Sequence, residues 1–201
     1  MHNVRRVVNS EAGVDVLVVC TGNVCRSPLI AALLSLELGP GLVVGSAGTR
    51  PALGAPACRR LHPEPLAGTG GHRARPLAAD DVRSAALVLG AARVHRSAAV
   101  ALVPSVQRRA FTLAQAARAA TLLAQDGDLP PAGAPGTGRD RLVRCVEQLD
   151  ARRGRTARPE NAEDDDLPDP HDPAAVRGTH AAVAARVGRD VALLARVLAP
   201  G

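Results

Sequence analysis

The sequence predicts an α/β three-layer sandwich, a four-stranded parallel sheet flanked by helices on both faces. Three observations point there. Short apolar runs rich in β-branched residues recur along the chain, and stretches of helical length separate them. The first run ends in a Gly-containing turn that opens directly onto a helix. Strands covered on both faces read as continuous apolar runs rather than alternating ones, and these do.

The elements follow in order. Val14 to Val19 (VDVLVV) is a buried strand. Pro28 sits where a first helical turn tolerates it, and Leu29 to Leu38 is apolar enough for a helix packed on a sheet, closed by Gly39 and Pro40. Leu42 to Ala47 and Ala85 to Leu89 supply the second and third strands, and Arg109 to Leu113 the fourth. Helices are expected at Arg93 to Leu102, Ala114 to Gln125, Arg139 to Arg153 and Pro173 to Leu198. Pro and Gly crowd the segment Asp126 to Gly138, which reads as a surface loop, and the acidic run Glu163 to Asp166 as solvated surface. Residues 1–13 form a leader, and 14–201 a single domain with an enlarged loop region at about 126–166.

Composition excludes several functions. All 25 basic residues are Arg, so the net charge of +6 reads first as genomic bias rather than as a partner's footprint. The arginines are scattered, and the only aromatic residue is Phe111, which leaves little on which to stack bases; no nucleic acid is expected as a partner. No apolar run is long enough to span a membrane, and residues 1–13 lack the apolar stretch of a secretory signal, so a cytoplasmic protein with reduced thiols is expected. Cys20, Cys25, Cys58 and Cys145 show neither disulfide-scaffold density nor paired zinc spacing; no metal and no cofactor are assigned.

The turn after the first strand reads Cys20-Thr21-Gly22-Asn23-Val24-Cys25-Arg26-Ser27-Pro28. In a chain so rich in Arg, a Cys followed six positions later by an Arg carries little by itself. Its setting carries the argument. Exposed backbone N–H groups and the helix dipole attract an anion where a strand turns into a helix, and residues 21–27 would ring the oxygens of a phosphate while Arg26 forks two of them. The same positive field favours a thiolate at Cys20, the nucleophilic form. Attack on a phosphate would give a phosphocysteine, with Arg26 and the loop amides holding the charge. Ser27 could donate its hydroxyl to the Cys20 sulfur.

This loop, close to the N-terminus and directly after an apolar strand, resembles the active-site loop of the low-molecular-weight protein tyrosine phosphatases, a family that includes bacterial protein-arginine phosphatases. Ser46-Ala47-Gly48-Thr49, His72-Arg73-Ala74-Arg75, Leu87-Val88-Leu89 and Asp169-Pro170 resemble further family segments in the family's order. The resemblance implies that Cys20 is the nucleophile, Arg26 the phosphate clamp, and Asp169 the acid and then the base. It implies that Asn23, Ser27, Ser46 and His72 hold the loop in shape, and that Cys25 forms a reversible disulfide with Cys20; a plain packing role for Cys25 stands beside that reading. Asp164, Asp165, Asp166 and Asp172 lie close enough in sequence to compete with Asp169.

Departures bear on the substrate. Members acting on phosphotyrosine flank the pocket with aromatic rings, yet His171 follows Pro170 here and the loop after Thr49 has no ring. Val24 stands where tyrosine-directed members carry an apolar branched residue and arginine phosphatases a Thr. The expected activity is phosphomonoester hydrolysis, protein-tyrosine phosphatase first, on a phosphorylated protein or small molecule. A protein-arginine phosphatase, a thiol-dependent arsenate reductase using Cys58 or Cys145, and a phosphate-binding module with little turnover are the alternatives.

Overall fold

The computed structural model describes residues 13–60, 71–129, 136–172 and 179–199. The expected leader, apart from Gly13, lies outside the described residues, as do the middle of the Asp126–Gly138 loop and the first residues of the helix expected from Pro173.

Among the described residues four strands and six helices follow in the order β1 (Val16–Cys20), α1 (Arg26–Leu38), β2 (Val44–Gly48), α2 (Ala79–Ser84), β3 (Leu87–Gly90), α3 (Arg93–Leu102), β4 (Ala110–Thr112), α4 (Leu113–Asp126), α5 (Gly138–Arg152) and α6 (His180–Leu198). The sheet order is β2-β1-β3-β4 and every pair is parallel. The chain runs from β1 to β2 on one side and then crosses to β3 on the other. The carboxyl end of β1 therefore lies at a topological switch point, where open α/β sheets bind ligands.

Alternation along β1 divides the core. Val16, Val18 and Cys20 face a large cluster with α1, α4, α5 and α6, to which Leu29, Leu34, Phe111, Leu123, Leu149 and Leu194 contribute. Leu17 and Val19 face a smaller cluster with Val82, Val88, Ala99 and Val106. Both faces of β1 are thus covered, which is why its five residues are all buried. Helix α1 begins at Arg26, earlier than Leu29, because Pro28 falls within a first turn whose N–H groups lack intrahelical partners.

The run Glu163–Asp166 corrects an expectation in its second half: Glu163 is exposed as expected, but Asp165 and Asp166 are not solvated surface. A 3-10 turn spans Ala162–Asp165, and Asp165 is buried, accepting from Arg118 Nη2 at 2.5 Å and Gln115 Nε2 at 2.8 Å. Asp166 accepts from the backbone N–H of Arg93 at 2.7 Å and from its Nη2 at 2.9 Å. The physical reason is complementarity: this segment crosses the N-terminal ends of α3 and α4, where free N–H groups and Arg side chains favour carboxylates. The next residue, Leu167, donates its N–H to Ala91 O at 2.8 Å, which fixes the following turn beside the end of β3.

Candidate active site

β1 ends at Cys20, and residues 21–25 cross to α1, whose first turn has no side-chain cap. The loop is held from one side by the segment after β2: Thr49 N donates to Cys20 O, Arg50 N to Thr21 O and Ala52 N to Gly22 O, at 3.0 to 3.1 Å. This approach is close enough to require glycine at the end of β2. A Cβ on Gly48 would stand 2.7 Å from Thr21 O.

Asn23 organises the interior of the loop. Its φ of 53° is the only positive value at a non-glycine position among the described residues, and Asn tolerates that region better than most side chains. It is fully buried and every polar group of its side chain is used. Nδ2 donates to Ser27 Oγ at 3.0 Å and to Ser46 Oγ at 2.9 Å, while Oδ1 accepts from Arg75 N at 3.0 Å. Its carbonyl accepts from His72 Nε2 at 2.8 Å, which assigns the proton of that ring to Nε2. Burial draws the His72 titration down, so the ring is a neutral donor at neutral pH.

Cys20 Sγ lies 3.0 Å from Ser27 Oγ and accepts from Asn23 N at 3.3 Å. Because Ser27 already accepts from Asn23, its hydroxyl proton is free to point at the sulfur. Arg26 is buried and reaches across the mouth of the loop, donating to Leu167 O at 3.1 Å and to Asp169 Oδ2 at 2.5 Å. Asp169 Oδ1 accepts from His171 N at 3.0 Å, so the carboxylate is held by its own turn as well as by Arg26. The neighbouring carboxylates are engaged elsewhere: Asp164 accepts from Asn161 N, Asp165 from Arg118 and Asp166 from Arg93. Of these, Asp169 alone is paired with Arg26.

Val24 is half-buried against the larger core cluster, and Cys58 N donates to its carbonyl at 2.8 Å. Cys25 is buried beside Cys58, and burial first, then this neighbour, pushes its thiol well above the ordinary range. Cys145 is fully buried and donates to Val197 O at 3.2 Å, a packing role that removes it as a thiol relay.

One residue at the site escaped the sequence reading. His95, in the first turn of α3, places Nε2 2.9 Å from Thr21 Oγ1, bridging the ends of β1 and β3. Burial first, and then the charge of Arg26, draw its pKa down to about 4, so the ring is neutral. A lone His after an apolar strand carried no spacing signal that would have singled it out.

Comparison with known proteins places the chain in a family. A family model described as low molecular weight phosphotyrosine protein phosphatase matches residues 15–152. The chain belongs to this family. The phosphatase is 34% identical over 143 residues to a protein-arginine-phosphatase of Geobacillus stearothermophilus, spanning 67% of this chain and 92% of that one. It is 36% identical over 105 residues to the low molecular weight protein-tyrosine-phosphatase Etp of Escherichia coli (strain K12), spanning 50% of this chain and 70% of that relative. In fold it resembles the YwlE arginine phosphatase from Geobacillus stearothermophilus, with a TM-score of 0.59 at 24% identity over 91% of each chain. A low molecular weight protein tyrosine phosphatase from T. tengcongensis superposes with a TM-score of 0.56 at 22% identity, over 89% of this chain and 95% of that one. The phosphatase is a cysteine-dependent enzyme, and no described helix is long and apolar enough to cross a membrane.

Proposed function

We propose that the chain is a protein-tyrosine phosphatase working through a phosphocysteine on Cys20. The observation that carries this reading is the loop at the switch point on which Cys20 Sγ lies 3.0 Å from Ser27 Oγ while Arg26 reaches back to Thr21 Oγ1 at 3.4 Å and across to the Asp169 carboxylate at 2.5 Å. A phosphate dianion seated on the loop amides competes with Asp169 for Arg26 and releases the carboxyl toward the leaving group.

The Cys20 thiolate attacks phosphorus, the S–P bond forms as the P–O bond to the leaving group breaks, and Asp169 gives its proton to the departing oxygen. Asp169, now a carboxylate, takes a proton from water as that water attacks phosphorus. The S–P bond breaks and inorganic phosphate leaves. Ser27 and the Asn23 N–H hydrogen-bond the departing sulfur. Asn23, Ser46 and His72 keep the loop in shape, and Thr21 is oriented by His95.

Depth supports a long phosphorylated side chain. Cys20 is 2% exposed and Arg26 6%, a burial that suits phosphotyrosine or phosphoarginine, which carry their phosphate further from the backbone than phosphoserine does. Val24 offers an apolar wall that suits a phenyl ring. The second reading, phosphoarginine, rests on two observations: the Geobacillus stearothermophilus relative matched over 92% of its length carries that name, and Phe111, the chain's only Phe, Tyr or Trp, is buried in β4 beneath Arg153. The partner is a phosphorylated protein, and the free thiols suit the reducing cytoplasm.

Purified protein hydrolyses an aryl phosphate in this reading; Cys20→Ser abolishes turnover yet binds vanadate, and Asp169→Asn lowers kcat about 100-fold or more. Phosphotyrosine and phosphoarginine peptides measured side by side decide the substrate. A preference for phosphotyrosine that Val24→Thr reduces supports the first reading, and a wild-type preference for phosphoarginine replaces it with the second. Vanadate binding without turnover of any substrate would leave a binding module.

A further inference from the structure

At the outer edge of the phosphate loop the fold gathers four side chains with soft or borderline donor atoms. Cys25 Sγ, Cys58 Sγ and one ring nitrogen each from His171 and His180 all lie within 4.8 Å of one another. They come from four segments: the N-cap of α1, the loop after β2, the turn after Asp169, and the first residue of α6. His171 Nε2 stands 2.8 Å from Cys25 Sγ, and the two imidazoles meet edge to face with centroids 4.9 Å apart. His180 Nε2 is buried without a hydrogen-bond partner among the described residues. A buried, unpaired ring nitrogen on one of four clustered donor residues is the kind of vacancy a metal ion fills.

We propose that Cys25, Cys58, His171 and His180 form a binding site for a transition-metal dication, zinc above all. Two thiolates and two neutral imidazoles are a common tetrahedral zinc set, whose donor atoms stand about 3.3–3.8 Å apart given Zn–S near 2.3 Å and Zn–N near 2.0 Å. The quartet reaches that spacing by contracting by up to about an ångström at its widest separation and by opening the 2.8 Å pair of His171 Nε2 and Cys25 Sγ by about half an ångström or more. On binding, both thiol protons leave to solvent, and two negative charges on sulfur balance the dication. The absence of a carboxylate from the quartet disfavours magnesium and calcium, which prefer oxygen. Four protein donors leave no open coordination position, so the ion is structural. It ties the turn carrying Asp169 to the phosphate loop and to α6. Cys25 bound to the ion is also withheld from disulfide exchange with Cys20.

No paired spacing announced the site, because its donors meet only through the crossing of four segments. The test uses the full chain, stripped with a chelator and kept reduced with a phosphine. Cobalt(II) is titrated in and followed by its thiolate charge-transfer and tetrahedral d–d absorption, and zinc is then added in competition. One equivalent of cobalt is expected to develop both bands, zinc to displace it, and Cys58→Ser and His180→Ala each to weaken binding about 100-fold or more with unchanged circular dichroism. His171→Ala, at an exposed side chain, repeats the measurement where folding is least at risk. Cys20→Ser should bind cobalt as the wild type does. Absence of the bands at one equivalent, wild-type affinity in both His171→Ala and His180→Ala, or loss of binding in Cys20→Ser in place of Cys58→Ser overturns the proposal. The readout involves no turnover, so it stands or falls separately from the phosphatase substrate.

Discussion

Asn23 concentrates more structural information than any other single residue of the loop. Its left-handed backbone and its saturated side chain serve the same end, since the amide can reach Ser27, Ser46 and Arg75 N together only from that conformation. Two substitutions separate the contributions. Asn23→Gly keeps the backbone accessible but strands three hydrogen-bond partners, two of them buried, for a loss of about 3 kcal/mol, and Asn23→Ala adds about 1 kcal/mol of left-handed strain. Chemical denaturation of both variants measures the difference. Equal stability of the two would mean that the loop relaxes out of the positive-φ conformation.

His95 gives stability a pH dependence. Its pKa is about 4 in the fold against an ordinary 6.5; burial is the chief cause, Arg26 adds to it, and Asp166 and Asp169 oppose it. Above pH 6.5 both states carry a neutral ring. Between about 6.5 and 4 the unfolded chain takes up a proton that the folded chain refuses, so stability declines as pH falls, by on the order of 3 kcal/mol across the window. His72, also drawn down by burial, acts in the same direction. Urea midpoints at neutral pH and near pH 4 should therefore differ less in His95→Gln than in the wild type. An unchanged difference would assign the acid sensitivity to other groups.

At the scale of elements, the site depends on close approach between strand ends and the loop. Gly48 closes β2 with no room for a methyl group, since the obstacles are Thr21 O at 2.7 Å and Asn23 Cβ at 3.0 Å, neither of them the flexible end of a side chain. Gly48→Ala should displace the phosphate loop and lower kcat/KM about 100-fold while the circular dichroism spectrum is retained. Wild-type kinetics would show that the strand end yields instead. The clasp of Asp165 and Asp166 on α4 and α3 works at the same scale, setting where the Asp169 turn begins. An acidic run read along the chain looks like solvated surface. Only the packing of two helix ends against it reveals partners for its charges.

For the whole molecule, α6 completes the larger core by packing on α1 and α4, far along the chain from the loop it supports. Leu194 is fully buried there, and Leu194→Ala should cost about 2–5 kcal/mol. Activity per folded molecule should persist, because Leu194 takes no part in the loop contacts. A fall in kcat matching the loss of stability would instead couple α6 to the chemistry.

The amino-acid sequence alone determined the order of the four strands and the loop that joins the first of them to α1; the short helix α2 was not legible in it. That loop and its flanks are written in contiguous residues: a buried strand in VLVVC, a helix start in RSP, a turn between them, and a cysteine and an arginine that one backbone curve brings together. The tertiary structure decided the rest. Asp169 became the partner of Arg26 because Asp165 and Asp166 were taken up by α4 and α3. His95 joined the site because β3 lies beside β1, and Cys58 and His180 came to Cys25 because four distant segments cross. Spacing along a chain encodes neighbours within one element. It carries no distance between elements, which is set by how the two apolar faces of the sheet are covered.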